Sequence, residues 1–127
     1  MCTRYREFQV LDQEAEITAT RTFGAEASEA VLADYVGWGK FSQLGVRVNV
    51  ATVTGGADTY DVKLQTRVGN DWVDLITMTQ LTAAGSESKW AIRTATVGWG
   101  DSIRVVSTVG AGATITLADI TIIGAMA

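Results

Sequence analysis

From Leu44 to Val53 the chain alternates with a period of two: Val46, Val48 and Val50 fall on one side, Arg47 and Asn49 on the other. Successive side chains of a strand point to opposite faces, so this pattern buries one face and wets the other only when the chain is extended. A helix would scatter the same valines around its axis. The pattern recurs from Tyr60 to Val68, where Val62, Leu64 and Thr66 oppose Asp61, Lys63, Gln65 and Arg67. Between the two lies Thr54-Gly55-Gly56-Ala57-Asp58, in which glycine supplies positive-φ positions, and the spacing predicts a hairpin.

More alternating segments follow. Gly69-Asn70-Asp71 turns the chain into a strand at Trp72–Met78. Thr82–Ser88 reads as a small polar loop, then Lys89–Thr94 as a strand with Trp90 and Ile92 facing one way. Ser102–Val109 sets Ile103, Val105 and Ser107 against Arg104, Val106 and Thr108. Gly110-Ala111-Gly112 turns into Ala113–Gly124, which carries Ile115, Leu117 and, past an irregularity at Asp119, Ile120 and Ile122. Ile17–Phe23 also alternates. Gly24–Asp34 holds helix-favouring alanine and glutamate, yet Val31, Ala33 and Tyr35 share one strand face, and a strand is expected from near Ala30. The chain has no proline, which cannot donate to a ladder. About eight short strands with glycine-rich turns predict an all-β fold, a single antiparallel β-sandwich of jelly-roll-like form. The expected division is an N-terminal arm at residues 1–16 and a sandwich at residues 17–127. Its 127 residues suit one core.

Charge and residue types exclude several functions. A net charge of −4 leaves no basic footprint, so no nucleic-acid partner is expected. Met1–Phe8 lacks an apolar signal core, and Ala111–Ala127 is interrupted by Thr114, Thr116, Asp119 and Thr121, so no membrane partner is expected. Cys2 is the single cysteine and cannot close an intrachain disulfide, which fits a reducing compartment. With no histidine, the commonest general base and metal ligand is missing. Ser/His and Cys/His pairs cannot be built, and zinc lacks its ligands. The pairs Asp58/Asp61 and Asp71/Asp74 could in principle serve a glycosidase, and Asp58, Asp71 and Asp74 a calcium ion. Turn positions and wet strand faces are the favoured account of them, since a glycosidase pair needs a cleft and a raised pKa. The expectation is a protein that is not an enzyme, with no cofactor and no metal.

Val36-Gly37-Trp38-Gly39 recurs as Val97-Gly98-Trp99-Gly100. Each copy precedes a β-branched strand, a glycine turn and another alternating strand. Two readings stay open: a pseudo-symmetric sandwich of two similar hairpins, or a likeness that any two hairpins share. Trp72 and Trp90 are expected in the core. Trp38 and Trp99 are expected to plug the ends of the sandwich, or to serve as interface anchors or sugar platforms. Ile120, Ile122 and Ile123 belong to an apolar terminal strand that makes a poor free edge; it must lie inside a sheet or under a neighbouring subunit.

These motifs resemble a family of small tailed-phage virion proteins encoded among head and tail genes. The resemblance rests on Tyr5-Arg6-Glu7-Phe8-Gln9-Val10-Leu11-Asp12, the block Leu44–Gly55, Tyr60–Thr66 and Trp72-Val73-Asp74. Thr79–Gly85 and Ile103-Arg104-Val105 extend it, and it covers most of the chain from about residue 40 onward. Where the family turn carries proline after the glycine, this chain has Ala57-Asp58. The resemblance implies a capsid decoration, or cement, protein on the outer surface of the head, made in the host bacterial cytoplasm. Its implied partners are the major capsid protein and further copies of itself, a trimer being favoured. A tail or neck adaptor, a fibre module or a carbohydrate-binding sandwich are the alternatives. The N-terminal arm, with Tyr5, Arg6 and Phe8, would tie to a neighbour. Trp38, Trp99, Ile120, Ile122 and Ile123 complete the expected interface.

Overall fold

The structure is a computed structural model that describes residues 4–24, 38–56, 58–100 and 102–126. The strand expected near Ala30 lies outside the described residues, as do Cys2, Val36 and Gly37. Ten strands follow in chain order: β1 (Arg4–Glu14), β2 (Arg21–Gly24), β3 (Gln43–Val50), β4 (Thr52–Thr54), β5 (Tyr60–Val68), β6 (Asp71–Thr77), β7 (Gly85–Ile92), β8 (Ile103–Val109), β9 (Thr114–Thr116) and β10 (Ala118–Met126). A 3-10 turn at Trp38–Lys40 leads into β3. The first sheet has the order β1-β10-β3-β7, the second β2-β8-β5-β6, and β4 and β9 form a small ribbon. All pairings among the described residues are antiparallel. This is the jelly-roll wrap, an all-β sandwich as the alternation predicts.

The inward residues are those the alternation selects. Val46, Val48 and Val50 of β3, Val62 and Leu64 of β5, Ile103 and Val105 of β8, and Ile120 and Ile122 of β10 are buried together. At one end, Trp38 and Trp99 join this core, and the Trp99 indole N–H donates to the Trp38 carbonyl at 3.1 Å. The Arg93 guanidinium stacks on the Trp99 ring, 4.3 Å from its centroid. It also donates to the carbonyls of Trp99 at 3.0 Å, Gly39 at 2.9 Å and Phe41 at 3.3 Å.

Four expectations are corrected. First, β3 and β5 do not form a hairpin. β3 pairs with β10 and β7, while β5 pairs with β8 and β6, so the connection through β4 crosses from one sheet to the other. Gly56 marks the reason: its φ is +45°, and a Cβ there would stand 2.1 Å from the Ala111 carbonyl oxygen. Two glycine turns meet back to back, and each carries its chain between the sheets. Second, residues 4–14 are not an arm; they form β1, paired along β10 from Arg4↔Met126 to Glu14↔Ala118. Strand β10 thus lies inside its sheet, and its apolar sequence needs no neighbouring subunit. Third, Trp90 is not core: it is 47% exposed on the outer face of the first sheet. Fourth, Trp72 lies on the outer face of the second sheet, only partly buried, between Arg67 and Arg104, whose guanidinium carbons stand 5.9 Å and 4.4 Å from its ring centroid. The β5–β6 hairpin around Gly69-Asn70 is formed as read.

The repeat is real at the level of topology. The series β1, β2, Trp38, β3, β4, β5 recurs as β6, β7, Trp99, β8, β9, β10. Exchanging counterparts turns the order β1-β10-β3-β7 into β6-β5-β8-β2, which is the second sheet. The pseudo-twofold axis passes through the β4–β9 ribbon, centred on the pair Val53↔Ile115. The repeating unit is a crossing between sheets and not a hairpin.

Candidate functional site

Two surface features stand apart from the core. The first lies on the outer face of the first sheet. Its register places Glu7, Ile123, Gly45 and Trp90 in one row across four strands. The next row is Gln9, Thr121, Arg47 and Ser88. Gly45 is the hinge of this surface. A Cβ there would lie 2.9 Å from Cδ2 and Cε3 of Trp90 and 3.0 Å from Cε2, so the indole rests flat on the backbone of β3. No residue with a side chain leaves that seat open.

Beside this platform the face turns polar. Gln9, Asp12, Gln13, Arg47, Asn49, Asp119 and Thr121 line a cavity of about 230 Å³. The cavity exists because β1 leaves register with β10 between Gln9 and Leu11 and again between Leu11 and Glu14. Such bulges bend a strand and re-aim its side chains. Gln13, at φ +48°, turns its backbone N–H to the Asp119 carboxylate at 2.7 Å. Among the described residues Arg47, Asn49 and Thr121 have no side-chain partner.

The second feature is an apolar groove of about 320 Å³ where the β5–β6 hairpin meets the loop after β7. Val68, Val73 and Val97 line it and are 59%, 46% and 38% exposed. Strand β6 is an edge of its sheet among the described residues. Asp74 also lines the groove; its carboxylate accepts from the Gln65 amide at 2.8 Å and pairs with Lys63 at 3.3 Å. The Gln65 hydrogen bond, aided by the Lys63 charge, holds the Asp74 carboxyl below its ordinary range. Gln65 in turn accepts from Arg104 at 2.8 Å. Where the chain passes from β6 to β7, Glu87 accepts from the Thr79 hydroxyl at 2.6 Å and its backbone N–H at 2.7 Å, and both bonds lower its pKa.

The residues expected at an interface are mostly elsewhere. Trp38, Trp99, Ile120 and Ile122 are buried in the core and present nothing to a partner. The sugar platforms read at Trp38 and Trp99 are excluded for the same reason. Phe8 packs against the core from β1, and Tyr5 and Arg6 pair on β1 with Ala125 and Gly124. Ile123 takes an outward place, in the row of Trp90. The carboxylates read as possible pairs have other work: Asp61 accepts from the Gln80 amide, at 3.0 Å to its nearer oxygen, Asp74 binds Gln65 and Lys63, and Asp58 sits in the turn at φ +52°. Reading the sequence missed Trp90 as a surface group and missed both clusters. The phase of β3 already put Arg47 and Asn49 on a wet face; that β7 and β1 flank it could not be read from local pattern. No protein-family model and no curated protein matches this chain.

Proposed function

We propose that this chain is a structural subunit of a phage virion, a decoration protein that docks on the outer face of the head shell and acts as an oligomer, with a trimer favoured. The partner class comes from the resemblance carried by Leu44–Gly55, Tyr60–Thr66 and Trp72-Val73-Asp74. The observation that carries the reading is the groove bordered by Val68, Val73 and Val97 on edge strand β6. Exposed valines around one concavity suit an apolar side chain of a shell subunit, and a sheet edge offers backbone groups to an added strand. A rigid sandwich loses little conformational entropy on docking. Repeated copies around a symmetric site add avidity to an interface of this small size.

Co-sedimentation with expanded capsids, followed by imaging of the particle, tests this. The unaltered protein is expected to saturate the shell. Val73→Glu and Val97→Glu place a charge in the groove and are expected to abolish binding while the β-sheet circular dichroism is kept. Undiminished binding by both variants removes the groove from the reading. Failure of the unaltered protein to bind removes the capsid.

A further inference from the structure

We infer that the outer face of the first sheet is a binding site for a neutral oligosaccharide, with Trp90 as the stacking platform and the Arg47–Asn49–Asp119 cavity as the hydroxyl-reading pocket. The inference is independent of the groove on β6 and needs no shell partner.

Three features carry it. The indole of Trp90 lies face-down on Gly45 and fills the space its absent side chain leaves. Its opposite face is left to solvent, and the residue is 47% exposed. A fixed, half-open aromatic plane takes the apolar C–H face of a sugar ring with no ordering cost on the protein side.

The polar groups stand at sugar range from that plane. Gly45 pairs with Trp90, and Arg47 is the next residue on the same face of β3. Two residues along a strand span roughly 7 Å, so a ring stacked on Trp90 reaches Arg47 with its next unit. Asn49 continues the line, and Asp119 pairs with it from the neighbouring strand β10.

The chemistry of these groups fits hydroxyls. A sugar hydroxyl both donates and accepts, so its pocket needs both kinds of atom. Arg47 donates only, Asp119 accepts only, and Asn49 and Thr121 do both. Arg47, Asn49 and Thr121 are not engaged within the protein among the described residues. One Asp119 oxygen is held by the Gln13 N–H, which fixes the carboxylate and leaves its other oxygen to a ligand. With Asp12 and Asp119 against one arginine, the cavity disfavours phosphorylated or sialylated sugars and selects uncharged ones.

The test is titration of the full chain with cellohexaose, maltohexaose, chitohexaose and sialyllactose, read by calorimetry and tryptophan fluorescence. At least one neutral hexasaccharide is expected to bind, and sialyllactose is not. Trp90→Ala and Asn49→Ala are each expected to weaken binding by about tenfold or more, with the thermal transition kept. Gly45→Ala, which lifts the indole from its seat, is expected to weaken it without touching the ligand. Val73→Glu, in the other feature, is expected to leave it unchanged. No binding by any of the neutral sugars, or binding that survives Trp90→Ala, overturns the inference. So does a result in which Trp90→Ala and Asn49→Ala abolish capsid binding instead, because the face then belongs to a protein interface.

Discussion

Ser107 is one of the few polar side chains buried in the core, and its hydroxyl donates to the Tyr60 hydroxyl at 2.7 Å. Both strands meet at the centre of the second sheet, where no water can replace a lost partner. Tyr60→Phe leaves the buried Ser107 hydroxyl without its partner, and Ser107→Ala removes the same bond from the Tyr60 side; each is expected to lower stability by about 1–3 kcal/mol. The double variant removes both groups, so urea titration is expected to find it less destabilised than the sum of the two. At the surface, Glu87 makes a pH-dependent contribution of defined sign. Its folded pKa is lowered by the Thr79 hydroxyl and N–H. The stabilisation is therefore present above the unfolded carboxylate pKa and is lost as pH falls through the lowered folded value. Thr79→Ala removes the hydroxyl and keeps the N–H, so the Glu87 titration midpoint followed by NMR is expected to rise towards the ordinary carboxylate value. A midpoint that stays put would assign the shift to the backbone alone.

Elements show where local pattern and tertiary structure part. The limits of β5 at Tyr60–Val68 and its inward set of Val62, Leu64 and Thr66 were legible, because alternation reports which side is buried whatever the partner strand is. Pairing was not legible. Turn residues at Gly55-Gly56 look like a hairpin, yet the same glycines allow the tight contact with Ala111 that sends the chain into the other sheet. In sequence β1 looks like an arm because Tyr5–Asp12 mixes charges with apolar residues; as an edge strand with two bulges it has no need of clean alternation. Its role gives a prediction: removal of residues 1–14 turns β10 into an edge of Ile and Thr residues. The truncated protein is expected to denature at lower urea and to self-associate on size-exclusion chromatography. Arg93 is the second case. It ties the loops of Trp38 and Trp99 through three carbonyls, and Arg93→Met, which keeps the stem, is expected to cost about 2 kcal/mol in chemical denaturation.

At the scale of the whole molecule the two halves are interleaved. Each of the strand pairings found among the described residues joins a strand of β1–β5 to one of β6–β10. Among the described residues neither half holds a sheet of its own. Fragments 1–69 and 70–127, cut in the β5–β6 turn, are each expected to lack a cooperative transition, and mixing them is expected to restore the β-sheet signal and a single melting step. A fragment that melts cooperatively alone would show that the topology is not what stabilises the halves. The amino-acid sequence by itself determined the strand class, the buried face of most strands and the two tryptophan loops, since each depends on neighbours two to four residues away. Only the tertiary structure decided the strand order, the interior place of β10, and which face of which sheet carries Trp90 beside Arg47 and Asn49. The reason is physical. A strand's hydrogen bonds are satisfied by any partner of suitable register, so the choice among partners is made by packing between residues far apart in the chain.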